Sequence, residues 1–131
     1  MGLLRMIGWN KYFDAKKALV ILERIRANVE KRCSEEDEKK QTKLEKDINA
    51  DKKNLSSMIA KAKIQNERNL GKFAKAPNDA EKERYQCKKN VLADVIAMSE
   101  EVDKIRADEP NVTDIIKNIK TTFTTALNTL K

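Results

Sequence analysis

Residues 34–43 read SEEDEKKQTK, ten positions without an apolar side chain in the middle of an otherwise helical pattern. Before them, Ala18, Leu22, Ile25, Val29 and Cys33 recur at steps of three or four, as a stripe buried along one helix face requires. After them the stripe resumes at Leu44, Ile48, Leu55, Met58, Ile59, Ala62 and Leu70. Two architectures follow from how the polar stretch is crossed. A helix one running unbroken over 14–73 predicts a long antiparallel coiled-coil hairpin, on the order of 80 Å at about 1.5 Å per residue. A break at Ser34, where Ser34-Glu35-Glu36-Asp37 offers an N-cap and acids for a first turn, predicts a compact four-helix bundle instead. Nothing near Cys33 supplies a Gly or Pro to turn the chain, which favours the hairpin.

Downstream, Gly71 and Ala76-Pro77-Asn78-Asp79 form the strongest break, with Pro77 and the acids suited to opening a new helix. Helix two, about 79–107, carries Val91, Val95, Met98, Val102 and Ile105 in alternating steps of four and three, a heptad seam. Pro110 ends it. Asn111-Val112-Thr113-Asp114 resembles a capping box opening a third helix, 113–130, through Ile116, Ile119, Phe123, Leu127 and Leu130. Folding the chain about residue 75 sets residue i against about residue 150 − i, as an antiparallel seam requires. Pro110 then falls opposite the polar gap, and the third helix lies along the Ala18–Cys33 stripe. Upstream, the 1–13 segment holds Leu3, Leu4, Met6, Ile7, Trp9, Tyr12 and Phe13 with only Arg5 and Lys11 as charges. Its amphipathic signal is moderate.

Composition agrees with a single all-α domain. The 131 residues include only 3 Gly and 2 Pro, so few turns are available. Ala, Lys, Glu, Leu and Arg favour helix, and the scarcity of aromatics opposes strands. Charged residues make up 37% of the chain, so apolar side chains line seams rather than fill a thick core. Met58 and Met98 are expected in that core.

The same inventory argues against catalysis. There is no His, so the commonest general base and transition-metal ligand is missing, and Glu-x-x-His di-iron sites with it. Gly2, Gly8 and Gly71 cannot form a phosphate-cradling loop. Asp47-Ile48-Asn49-Ala50-Asp51 imitates the start of a calcium loop, but Lys52 replaces the required Gly and Met58 the closing Glu. Ser57 and Lys61 stand at i,i+4 with no further catalytic partner. Cys33 and Cys87 are too few for a disulfide framework and too far apart in sequence for a metal motif. The chain is therefore expected to be no enzyme, with no cofactor and no metal. No apolar run approaches the roughly 20 residues of a membrane span, and the N-terminal segment lacks the features of a secretory signal or a myristoylation site. A cytoplasmic location is the expectation.

The net charge of +7 favours an acidic partner. It is polarised: 1–33 hold eight basic and three acidic residues, 44–76 eight and four, and 77–109 six and nine. An aromatic, positive N-terminal section suits an anionic lipid interface, where Trp and Tyr sit at headgroup level and Lys and Arg meet phosphates. The alternative for Leu3–Phe13 is a cap over the end of the helices.

The order of these parts resembles the ESCRT-III and phage-shock protein A membrane-remodelling superfamily. The segments that carry the resemblance are MGLLRMIGW, KKALVILERIRANVEKR at the start of the hairpin, EKERYQCKKNVLADVIAMSEEVDKI for its return, and VTDIIKNIKTTFTTALNTLK after the break. The resemblance implies a non-enzymatic scaffold, peripheral to membrane, whose hairpins pack side by side into homo-oligomeric filaments or rings. It further implies Leu3, Leu4, Ile7, Trp9 and Phe13 as inserting residues, and Lys16, Lys17, Arg24 and Arg26 as headgroup contacts. A soluble helical adaptor or inhibitor docking on a partner protein is the second expectation. Nucleic acid is disfavoured, because acids are interspersed with the basic residues and no binding module is present.

Overall fold

A computed structural model describes residues 12–106 and 112–130. The described chain is all-α. Its helices are α1 (Ala15–Ser34), α2 (Glu38–Lys75), α3 (Asp79–Asp103) and α4 (Val112–Thr129). Each packs on two neighbours, α1 on α2 and α4, α3 on α2 and α4, with no packing across either diagonal. This is a four-helix bundle. The uninterrupted 14–73 helix of the hairpin architecture is corrected to two helices.

The reason lies in the residues of the polar gap. Ser34 Oγ turns back onto the Glu30 and Lys31 carbonyls, the second of which belongs to the last turn of α1, where carbonyls lack an intrahelical partner. Glu35 takes an extended backbone and its N–H donates to the Arg32 carbonyl. Asp37 then caps α2, its carboxylate accepting the Lys39 N–H at 2.9 Å, while Gln41 Nε2 donates to the Glu35 carbonyl. Three acidic residues, Glu35 to Asp37, thus reverse the chain without Gly or Pro. The starts of α1 and α3 use the same device: Asp14 accepts from Lys17 N–H and Asn78 from Glu81 N–H.

Cross-helix bonds set the register. Phe13 N–H donates to Gln65 Oε1, Arg24 pairs with Asp51, and Arg32 with Glu45, so residue i of α1 lies level with roughly residue 77 − i of α2, in antiparallel packing. Asn69 Nδ2 donates to the Tyr85 carbonyl and Lys52 Nζ to that of Ile105, so α2 and α3 pair at roughly 155 − i. The expected 150 − i was short because the turn centres on Pro77 rather than residue 75. α4 lies along the α1 stripe as the spacing required.

The core runs through all four helices. Leu22, Ile25, Ile48, Leu55, Ile59, Leu92, Val95, Val102, Ile119 and Phe123 are all but fully buried. Met58 is buried and Met98 packs against the same core. Cys33 and Leu70 leave the expected stripes and are exposed, as they sit where the bundle ends. In α3 the buried set includes Leu92, which a single heptad seam does not contain, because α3 faces two partners.

Candidate functional site

Leu3, Leu4, Ile7 and Trp9 lie outside the described residues. Phe13 lies within them and belongs to the core: it is 6% exposed, with its ring centroid 5.2 Å from that of Phe123. That removes Phe13 from the set of side chains with surface to offer a bilayer. Lys16 and Lys17 are exposed on the first turn of α1, with no carboxylate partner among the described residues.

Arg24 and Arg26 are engaged within the protein. The Arg24 guanidinium meets both oxygens of Asp51, at 2.8 and 2.6 Å, which raises the arginine's proton affinity through those hydrogen bonds. Asp51 is buried, and the guanidinium satisfies both of its carboxylate oxygens. Arg26 sits between Glu23 and Glu30, at 2.6 and 2.9 Å. Its hydrogen bond holds the Glu23 carboxyl below its ordinary value, with smaller electrostatic help from Arg26 and Lys120. Both arginines, expected as headgroup contacts, are thus ion-paired within the protein while their side chains stay about half exposed.

A different set of cations comes together at the end of the bundle where residue 12 enters. Arg68 and Lys72, one turn apart on α2, line a cleft of about 160 Å³ with Lys88 of α3, Tyr12, Gln65 and Tyr85. Leu92 and Leu130 supply apolar lining, and no carboxylate among the described residues lines it. The Asn69 bond to the Tyr85 carbonyl ties the two helices together at this level. Lys88 and Arg84 both stand over the Tyr85 ring, at 5.9 and 5.3 Å from its centroid. None of Arg68, Lys72, Lys75, Arg84 and Lys88 has an ion-pair partner among the described residues.

The two ends of the bundle differ in charge. Around the cleft, residues 12–20, 61–92 and 123–130 carry eleven basic and five acidic side chains. At the opposite end, residues 30–47, 98–106 and 112–117 carry nine basic and eleven acidic. Segment totals hide this, because 77–109 sums to net negative while Lys82, Arg84, Lys88 and Lys89 all lie in its first half. The antiparallel return carries that half to the basic end of α2.

A groove of about 630 Å³ separates α1 from α4, with Leu19, Leu22 and Ile116 among its apolar lining and Glu23, Arg26, Lys117 and Lys120 as charged lining. Among the described residues no group of three or more Cys, Asp or Glu is placed to hold a metal ion, and no helix is long and apolar enough to cross a membrane. No protein-family model, curated protein or solved structure matches the chain.

Proposed function

We propose that the chain is a non-enzymatic membrane-surface scaffold that binds anionic lipid with one end of its bundle and self-assembles there. The observation that carries the proposal is the position of Tyr12, which joins the apolar segment Leu3, Leu4, Ile7 and Trp9 to the bundle and lines the same cleft as Arg68, Lys72 and Lys88. The chain therefore enters the described bundle from the apolar segment at the end that holds the unpaired cations. Each lysine or arginine near an anionic leaflet contributes about 1 kcal/mol, so a few of them alone hold a protein weakly; shallow insertion of apolar side chains is the second signal that stable attachment needs. Lys16 and Lys17, on the first turn of α1, add to the positive end. The assembly part follows from the resemblance to the ESCRT-III and phage-shock protein A superfamily alone, whose long first helix this bundle replaces by two, and the cytoplasmic leaflet is the anionic surface it would meet.

Removing residues 1–11, and keeping Phe13 in its core position, tests this. Flotation with phosphatidylcholine vesicles containing phosphatidylserine should be lost, while helical circular dichroism and the melting temperature stay nearly unchanged. Undiminished flotation would overturn the proposal. The α1–α4 groove favours a second function, a helical adaptor whose partner lays an apolar helix face there. It predicts no vesicle binding by the full chain at any lipid composition.

A further inference from the structure

We propose that the cleft between the α2 and α3 ends is a stoichiometric binding site for a phosphomonoester, as opposed to a stretch of diffuse positive surface. The lipid version of this ligand, a phosphorylated headgroup, rests on the membrane function proposed above; the site itself rests on its own geometry. Three cations from two helices face one space: Arg68 and Lys72 one turn apart, and Lys88 level with about residue 67 in the antiparallel register. The remaining polar lining adds donors. Gln65 Oε1 is occupied by the Phe13 N–H, which leaves the amide NH2 without a partner among the described residues, and Tyr12 and Tyr85 each carry a phenol. No carboxylate among the described residues competes for the cations.

Chemistry selects the ligand class. A site of donors and positive charges, with few acceptors, suits a compact multivalent anion with several acceptor oxygens, and a phosphomonoester dianion has three. The Arg68 guanidinium can hold two such oxygens side by side, while the ammonium groups of Lys72 and Lys88 act as point charges. Leu92 and Leu130 form an apolar wall on one side of the cleft. Lys88 is held toward the site by the Tyr85 face.

The test titrates the full chain with inositol 1,4,5-trisphosphate, followed by calorimetry and by amide shifts of the 15N-labelled protein. Saturable one-to-one binding is expected, with the largest shifts at Gln65, Asn69 and Tyr85. Arg68→Gln or Lys88→Gln should weaken it about tenfold or more, the usual scale of a lost charge-assisted hydrogen bond. Lys39→Gln with Lys40→Gln, two charges removed at the opposite end, should change it little. Non-saturable binding, or equal weakening by both sets of variants, would overturn the site. Arg68, Lys39 and Lys40 are exposed and Lys88 is half-buried, and a melting curve checks that each variant is folded.

A vesicle arm separates the sources of the phosphate. Phosphatidylcholine vesicles carrying phosphatidylinositol 4,5-bisphosphate are compared with ones carrying phosphatidylserine at equal surface charge. A preference for the first that Arg68→Gln removes identifies the lipid headgroup. Soluble binding without vesicle binding keeps the site for a free phosphorylated solute and sinks the membrane function. Equal binding to both vesicles with no soluble binding keeps the membrane function and sinks the site.

Discussion

The Phe13 ring tilts at 59° against that of Phe123, and its backbone N–H is held by Gln65, so the side chain that closes the apolar N-terminal run is part of the bundle. Phe13→Ala removes that edge contact and opens a void beside Phe123. A loss of about 3 kcal/mol in unfolding free energy is expected by chemical denaturation, with lipid binding per folded molecule unchanged. Loss of lipid binding with stability intact would return Phe13 to the interface. Asp51 and Arg24 show a related division of labour. The carboxylate is buried and the guanidinium about half exposed, so the pair anchors α1 to α2 while the arginine end stays partly hydrated.

At the scale of elements, the turn at Glu35–Asp37 separates the two architectures, and a single substitution reads out which one is present. In the bundle Asp37 is an N-cap, and Asp37→Ala should destabilise the protein by about 1 kcal/mol. In an uninterrupted helix the same change would replace a poor helix former by the best one at an exposed position, and stability would rise by a few tenths of a kcal/mol or more. The sign of the shift in a denaturant midpoint therefore decides. Asp14 and Asn78 make the same kind of cap, and the α2–α3 turn also has Pro77 to stop the chain continuing.

The whole molecule keeps its two thiols apart. Cys33, at the end of α1, lies level with about residue 44 of α2, and Cys87 of α3 lies level with about residue 68, from the two registers together. Some 24 residues of helix separate those levels, roughly 36 Å at 1.5 Å per residue, against the 7 Å or less between Cα atoms that a disulfide needs. Both cysteines are exposed. Mild oxidation of the folded chain should give only intermolecular crosslinks, seen as dimers on non-reducing electrophoresis. Efficient formation of a monomeric Cys33–Cys87 bridge, identified by mass spectrometry, would rule out this register. The same antiparallel arrangement produces the charge polarity: α2 and α3 each carry their basic stretch at the end joined by Ala76–Asn78, and the acids of Glu35–Glu38 gather at the other.

Sequence by itself determined the helical class, two of the four described helices, α3 and α4, to within a few residues, and most of the core. Those features depend on spacing within a single helix, where Leu22, Ile25 and Val29 or Ile116, Ile119 and Phe123 must fall on one face whatever that face meets. The reversal at Ser34 was legible only as an alternative. Its signals are side-chain bonds from Ser34, Asp37 and Gln41 to nearby backbone, and the same residues are also acceptable on the solvent face of a long helix. The pairs of Arg26 lie within one helix at spacings the sequence already allows, but only tertiary structure decided the charges that meet across helices. Arg24 and Arg26 find carboxylates 27 and 3 or 4 positions away, whereas Arg68, Lys72 and Lys88 meet from two helices that run in opposite directions. Pairing of charges depends on distances of a few ångströms between helices, and those are set by the register of packed faces, a quantity that no periodicity within one helix contains.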